Sequence, residues 1–64
     1  MENLKNKIMA YLREIKVADQ VPQISQAIGE RERAVQDALI ELDDSDMVIM
    51  KNGWYLASAK GMST

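Results

Sequence analysis

The amino-acid sequence predicts an α+β fold in which three helices precede a two-stranded antiparallel hairpin. Apolar residues recur at three- and four-residue steps through the first part of the chain, as on the buried face of a helix. Two β-rich runs follow, separated by Asn52-Gly53, a strong short-range hairpin signal. Gly29 marks a sharp turn between two helical stretches. We expect one domain over residues 1–59 and a frayed polar tail over residues 60–64.

The first helix is expected over about residues 2–16. Its apolar stripe consists of Leu4, Ile8, Leu12 and Ile15, and Asn3 is placed to accept from a first-turn amide as the N-cap. The basic residues of this segment fall mostly outside the stripe, at Lys5, Lys7, Arg13 and Lys16. They could reach phosphates, but basic residues on an exposed helix face more commonly serve only solubility.

Two further helices are expected after a connector, residues 17–20, which could pair with the hairpin as a third strand. The second helix covers about residues 22–28, because Pro22 suits a first turn and Gly29 supplies a positive φ at the end. The third helix begins within residues 30–33. Its apolar side is formed by Val35, Ala38, Leu39 and Leu42.

Both faces of the predicted hairpin are apolar. A two-residue turn fixes the register and pairs Lys51 with Trp54. One face then holds Ile49, Trp54 and Leu56, and the other holds Val48, Met50, Tyr55 and Ala57. We expect Trp54 to lie in the core, the alternative being a stacking platform. We expect Val48, Met50 and Tyr55 to form an exposed interface with a second copy or a protein partner, unless the first helix or the tail covers them.

Composition narrows the classes of function. A chain of 64 residues has room for one small core, and it contains neither Cys nor His. Disulfides, thiolate metal sites and the usual general base are therefore excluded, so we expect no enzyme activity, no metal and no cofactor. No small-molecule substrate is indicated. Charged residues interrupt the N-terminal segment every few positions, which predicts no membrane contact and a cytoplasmic location.

In this order of elements the chain resembles the winged helix-turn-helix superfamily of small bacterial, archaeal and phage regulators. The resemblance covers about residues 4–56 and rests on Ile24-Ser25-Gln26-Ala27-Ile28-Gly29, on Val35 with Leu39 and Leu42, on Met47-Val48, and on Trp54 with Leu56. It implies a DNA-binding regulator that acts as a dimer on double-stranded DNA. The chain departs from many relatives at two positions, with Arg31 in place of a capping Ser or Thr and Asp46 in place of Gly.

The resemblance also implies which residues would touch DNA. In DNA-binding relatives the outer face of the second motif helix enters the major groove, and this face corresponds to Arg31, Arg33, Gln36, Asp37 and Ile40. The hairpin wing of such relatives touches the backbone or the minor groove, and its counterparts are Lys51 and Asn52. We expect Arg33 and Gln36 to bond base edges and Lys51 to bind a phosphate.

The charge of the same segment argues against that assignment. Residues 30–46 contain seven acidic and two basic side chains, for a net charge of −5, within a chain of net charge −2. Such a helix repels phosphates before any base is read. Arg31 and Arg33 could instead pair with acidic neighbours on a solvated face. The sequence therefore leaves a second function open, a winged helix used as a protein-interaction or accessory module.

Overall fold

The computed structural model describes residues 3–62 as an α+β fold. The helices are α1 (Leu4–Ile15), α2 (Val21–Ile28), α3 (Glu32–Asp44) and the single turn α4 (Ala59–Met62), and the strands are β1 (Asp19–Gln20), β2 (Val48–Lys51) and β3 (Trp54–Ala57). The strands form one antiparallel sheet in the order β1-β3-β2. The predicted order of three helices and a hairpin is confirmed, and the connector does supply a third strand.

Local signals account for most helix ends. The side chain of Asn3 accepts a hydrogen bond from the backbone N–H of Asn6 at 2.9 Å and so caps α1 as predicted. Gly29 ends α2 with φ of 71°, a left-handed conformation that glycine adopts without a Cβ clash. Arg31 occupies the N-cap position of α3 and makes no side-chain capping bond, as its side chain predicts. The expected helix start at residue 2 lies outside the described residues.

The hairpin follows the predicted register. Asn52 and Gly53 have φ of 53° and 83°, the pair of positive values that a type I′ turn requires. Lys51 pairs with Trp54, and Met50 pairs with Tyr55. Asp46 carries the other left-handed backbone of this region, with φ of 61°, just before β2 begins. The two-residue turn therefore fixes which residues face each other across the strands.

The core lies between the three longer helices and one face of the sheet. It is built from Ile8, Met9, Leu12, Ile24, Val35, Ala38, Leu39, Leu42, Val48 and Tyr55. At the edge of the core, the hydroxyl of Tyr11 donates a hydrogen bond to the carboxylate of Asp19. This bond connects α1 to β1. This hydrogen bond, aided by burial and by the negative charge of Asp19, raises the pKa of Tyr11 above its ordinary value.

The structure reverses the two faces of the hairpin relative to the prediction. Val48 and Tyr55 are 2% and 6% exposed and belong to the core, whereas Trp54 and Ile49 are 45% and 49% exposed. The expected core position of Trp54 is therefore wrong, and so is the expected exposure of Val48 and Tyr55. The physical reason is that the helices cover the face that carries Val48 and Tyr55. Met50, at the sheet edge on that same face, remains 48% exposed.

The end of the chain also differs from the prediction. α4 extends from Ala59 to Met62, and the side-chain amine of Lys60 donates to the backbone carbonyl of Ser45 at 3.1 Å. Up to Met62 the expected frayed tail is thus a helical turn, while residues 63–64 lie outside the described range. None of the helices formed by residues 3–62 has both the length and the apolar character needed to cross a bilayer.

Candidate nucleic-acid interface

The first turn of α3 carries two exposed guanidinium groups. Arg31 and Arg33 are both exposed, and within residues 3–62 neither forms a salt bridge. They lie at the N-terminal end of the helix, where the helix dipole also contributes positive potential. Glu32 is exposed between them. This end of α3 therefore presents two guanidinium groups that are available to an anion.

A side-chain hydrogen bond brings the hairpin against this half of α3. The amide nitrogen of Gln36 donates to the hydroxyl of Tyr55 at 3.0 Å. Tyr55 pairs with Met50 in the half of the hairpin nearer the turn, so that half lies beside the first part of α3. Gln36 is half-buried, and its amide is engaged within the protein rather than directed only at solvent.

The hairpin carries two further polar side chains at its turn. Lys51 and Asn52 are exposed, and Lys51 forms no salt bridge among the described residues. The Gln36–Tyr55 bond thus links the two elements that carry the predicted DNA-contacting residues, α3 and the hairpin. The resemblance implied a DNA contact for both groups of residues, and in the structure α3 and the hairpin are in contact.

Acidic residues are distributed unevenly around this region. Glu30 and Glu41 are paired with α1, through Lys7 at 2.7 Å and Lys5 at 2.6 Å. At the other end of α3 a group of exposed carboxylates surrounds the turn into β2, comprising Asp43, Asp44 and Asp46. The segment charge of −5 is therefore not spread evenly, because Arg31 and Arg33 offset acidic side chains at the start of α3 and no basic side chain does so at its C-terminal end.

The remaining exposed positions of α3 mix charge with one large apolar group. Asp37 is exposed in the first half of the helix, and Ile40 is 50% exposed one turn further along. Ile40 lies on the polar side of α3, whereas the apolar side of this helix is buried. Ile40 is therefore not part of the core. The N-terminal half of α3 is thus mixed in charge, whereas its C-terminal end is uniformly acidic.

The predicted interface set of Val48, Met50 and Tyr55 does not form an exposed surface. Only Met50 of the three is accessible, because the other two are part of the core. The exposed apolar residues of the hairpin are instead Ile49 and Trp54. A signal for this arrangement exists in the sequence, because Lys51 shares the face of Trp54, and a lysine within a strand favours the solvated side.

Within residues 3–62 the structure contains no group of three or more acidic side chains arranged to hold a metal ion. Two open surface grooves of about 310–320 Å³ are lined by α1 with α3 and by α1 with α2. Comparisons of the chain with protein-family models, with curated proteins and with solved structures give no match.

Proposed function

We propose that this chain is a winged-helix DNA-binding protein that places the first half of α3 in the major groove and the hairpin turn on the adjacent backbone. The order of elements, α1-β1-α2-α3-β2-β3, and the strand order β1-β3-β2 are compatible with a winged-helix layout. The observation that carries the proposal is the Gln36–Tyr55 hydrogen bond, since it holds the hairpin beside the end of α3 that carries the exposed guanidinium groups.

The proposal gives each residue a distinct role. Arg33 reads a base edge, preferably guanine, because a guanidinium can donate two hydrogen bonds to the O6 and N7 atoms. Arg31, Lys51 and Asn52 contact phosphates and fix the position of the domain on the duplex. Gln36 was expected to read a base, but we assign it to holding the hairpin, because its amide already donates to Tyr55.

Charge limits the strength of this binding. With two cationic phosphate contacts, the logarithm of the association constant should fall with the logarithm of salt concentration with a slope of roughly −2. The carboxylates at the C-terminal end of α3 must point away from the phosphates, because like charges repel. Binding is therefore expected to be weak at physiological salt and measurable at low salt.

Fluorescence anisotropy with labelled mixed-sequence duplex DNA at low salt tests the proposal. Arg33→Gln should weaken binding about 5- to 150-fold, the loss typical of one bidentate base contact. Lys16→Gln is the matched control, because it removes an exposed positive charge from the C-terminal end of α1. It should change affinity less than twofold. Absence of duplex binding at low salt, or equal losses in the two variants, contradicts the proposal.

A second function, a protein-interaction module, is favoured by a different observation. α3 contains five carboxylates and one guanidinium, and the exposed hairpin face carries Ile49 and Trp54. An apolar contact through that face would respond little to salt, whereas DNA binding would weaken steeply. Measuring the binding at increasing salt concentrations therefore separates the two functions.

A further inference from the structure

The outer face of the sheet, defined as Gln20, Ile49, Lys51, Trp54 and Leu56, is a second surface with its own chemistry. Cross-strand pairing places Gln20, Trp54 and Lys51 in one row across all three strands. Ile49 and Leu56 pair in the neighbouring row. Trp54 stands at the centre of the first row, because β3 is the middle strand. A half-exposed indole thus lies between an amide and an ammonium group.

This outer face carries no carboxylate, although the chain as a whole is acidic. Asp19 is the only acidic residue in the three strands, and its carboxylate accepts from Tyr11 on the helix side of the sheet. Lys51 is exposed, and within residues 3–62 it has no acidic partner. The outer face therefore combines an aromatic surface with positive charge and lacks the carboxylates that would repel a phosphate.

We propose that the outer face binds a short stretch of single-stranded nucleic acid, with an unpaired base stacked on Trp54 and a phosphate held by Lys51. Stacking on an exposed aromatic ring tolerates any base, and a nearby cation binds the backbone, which is the usual chemistry of single-strand recognition. Gln20 can bond the edge of the stacked base. Ile49 adds apolar surface for the sugar or for a neighbouring base.

This inference goes beyond the duplex binding assigned to α3 and uses a different surface. Bases in a duplex are already stacked on each other and cannot reach the ring of Trp54. The outer face is therefore expected to prefer unpaired over paired DNA. Lys51 is common to both surfaces, but Arg33 belongs only to the duplex surface and Trp54 only to the single-strand surface.

Trp54 is the sole tryptophan of the chain, so the tryptophan fluorescence of the protein reports on the outer face. Titration with oligothymidylate of about 12 nucleotides at low salt should quench the fluorescence of Trp54. Inorganic polyphosphate is the matched control, since it carries the charge without bases. Quenching by oligothymidylate alone supports the proposal, whereas equal binding of polyphosphate, or no quenching by oligothymidylate, overturns it.

Variants separate this surface from the duplex surface. In an anisotropy assay with labelled oligothymidylate, Trp54→Leu should weaken binding about 5- to 150-fold, the effect of one lost stacking contact. Arg33→Gln should leave that affinity within twofold while reducing duplex affinity. If Trp54→Leu binds oligothymidylate as well as the wild type, the outer face is not the site. Sedimentation of the free protein as a dimer that dissociates in Trp54→Leu likewise overturns the proposal.

Discussion

Replacement of the adjacent residues Trp54 and Tyr55 tests the orientation of the hairpin, on which both binding surfaces depend. The two aromatic residues are neighbours on β3 but face opposite sides of the sheet, with 45% and 6% of their surfaces exposed. Tyr55→Ala should cost about 3–5 kcal/mol in the free energy of unfolding, because it leaves a cavity in the core and removes the partner of Gln36.

Trp54→Ala should cost much less. Full burial of a large apolar side chain contributes about 1.5–3 kcal/mol, and Trp54 realises only about half of this because nearly half of it stays in water. No cavity forms at an open surface, so the expected loss is about 1 kcal/mol. A chain of 64 residues has a total stability of about 3–10 kcal/mol, so Tyr55→Ala removes a large share of it and Trp54→Ala does not.

Urea unfolding followed by circular dichroism measures both losses without relying on the tryptophan. With a slope of about 1 kcal/mol per molar urea for so small a protein, the midpoint should fall by about 3 M or more in Tyr55→Ala, or the variant should be unfolded in buffer. In Trp54→Ala the midpoint should fall by about 1 M. Equal losses, or a larger loss in Trp54→Ala, would mean that the face with Trp54 is buried and would refute the reasoning.

Two further predictions follow from side-chain hydrogen bonds. Double-mutant cycles of Gln36→Met and Tyr55→Phe should give a coupling energy of about 0.5–1.5 kcal/mol by urea unfolding, and a coupling near zero would show that the bond does not hold the hairpin. The raised pKa of Tyr11 predicts a fall in stability at high pH. Above pH of about 10 the unfolded chain loses the Tyr11 proton while the folded chain retains it, so the free energy of unfolding decreases as pH rises. Tyr11→Phe should show a smaller decrease between pH 8 and pH 11, and identical pH dependence in the two proteins would rule out this contribution.

The elements of this fold could be predicted from the sequence because their signals are local. Asn3, Gly29 and the Asn52-Gly53 turn act through backbone conformation and hydrogen bonds within a few residues, and each occupies the predicted position. The register of the hairpin follows from the length of its turn. The apolar stripes of the three helices likewise identify most of the core, because periodicity depends only on spacing along the chain.

The candidate interface could be predicted only in part. Arg31, Arg33, Lys51 and Asn52 are exposed as expected, because each lies on a polar face or in a turn. The role of Gln36 could not be foreseen, since its partner, Tyr55, lies 19 residues away and meets it only after α3 packs on the sheet. The ion pairs of Lys5 and Lys7 with acidic residues of other segments depend on the same packing.

By itself, the sequence determined where helices, strands and turns lie and which strand residues pair. Only the tertiary structure decided which face of the hairpin is buried. Alternation along a strand separates two faces but does not rank them when both are apolar, as with Val48 and Tyr55 on one side and Ile49 and Trp54 on the other. The choice depends on how the helices pack against the sheet, and that is a property of the whole assembled chain.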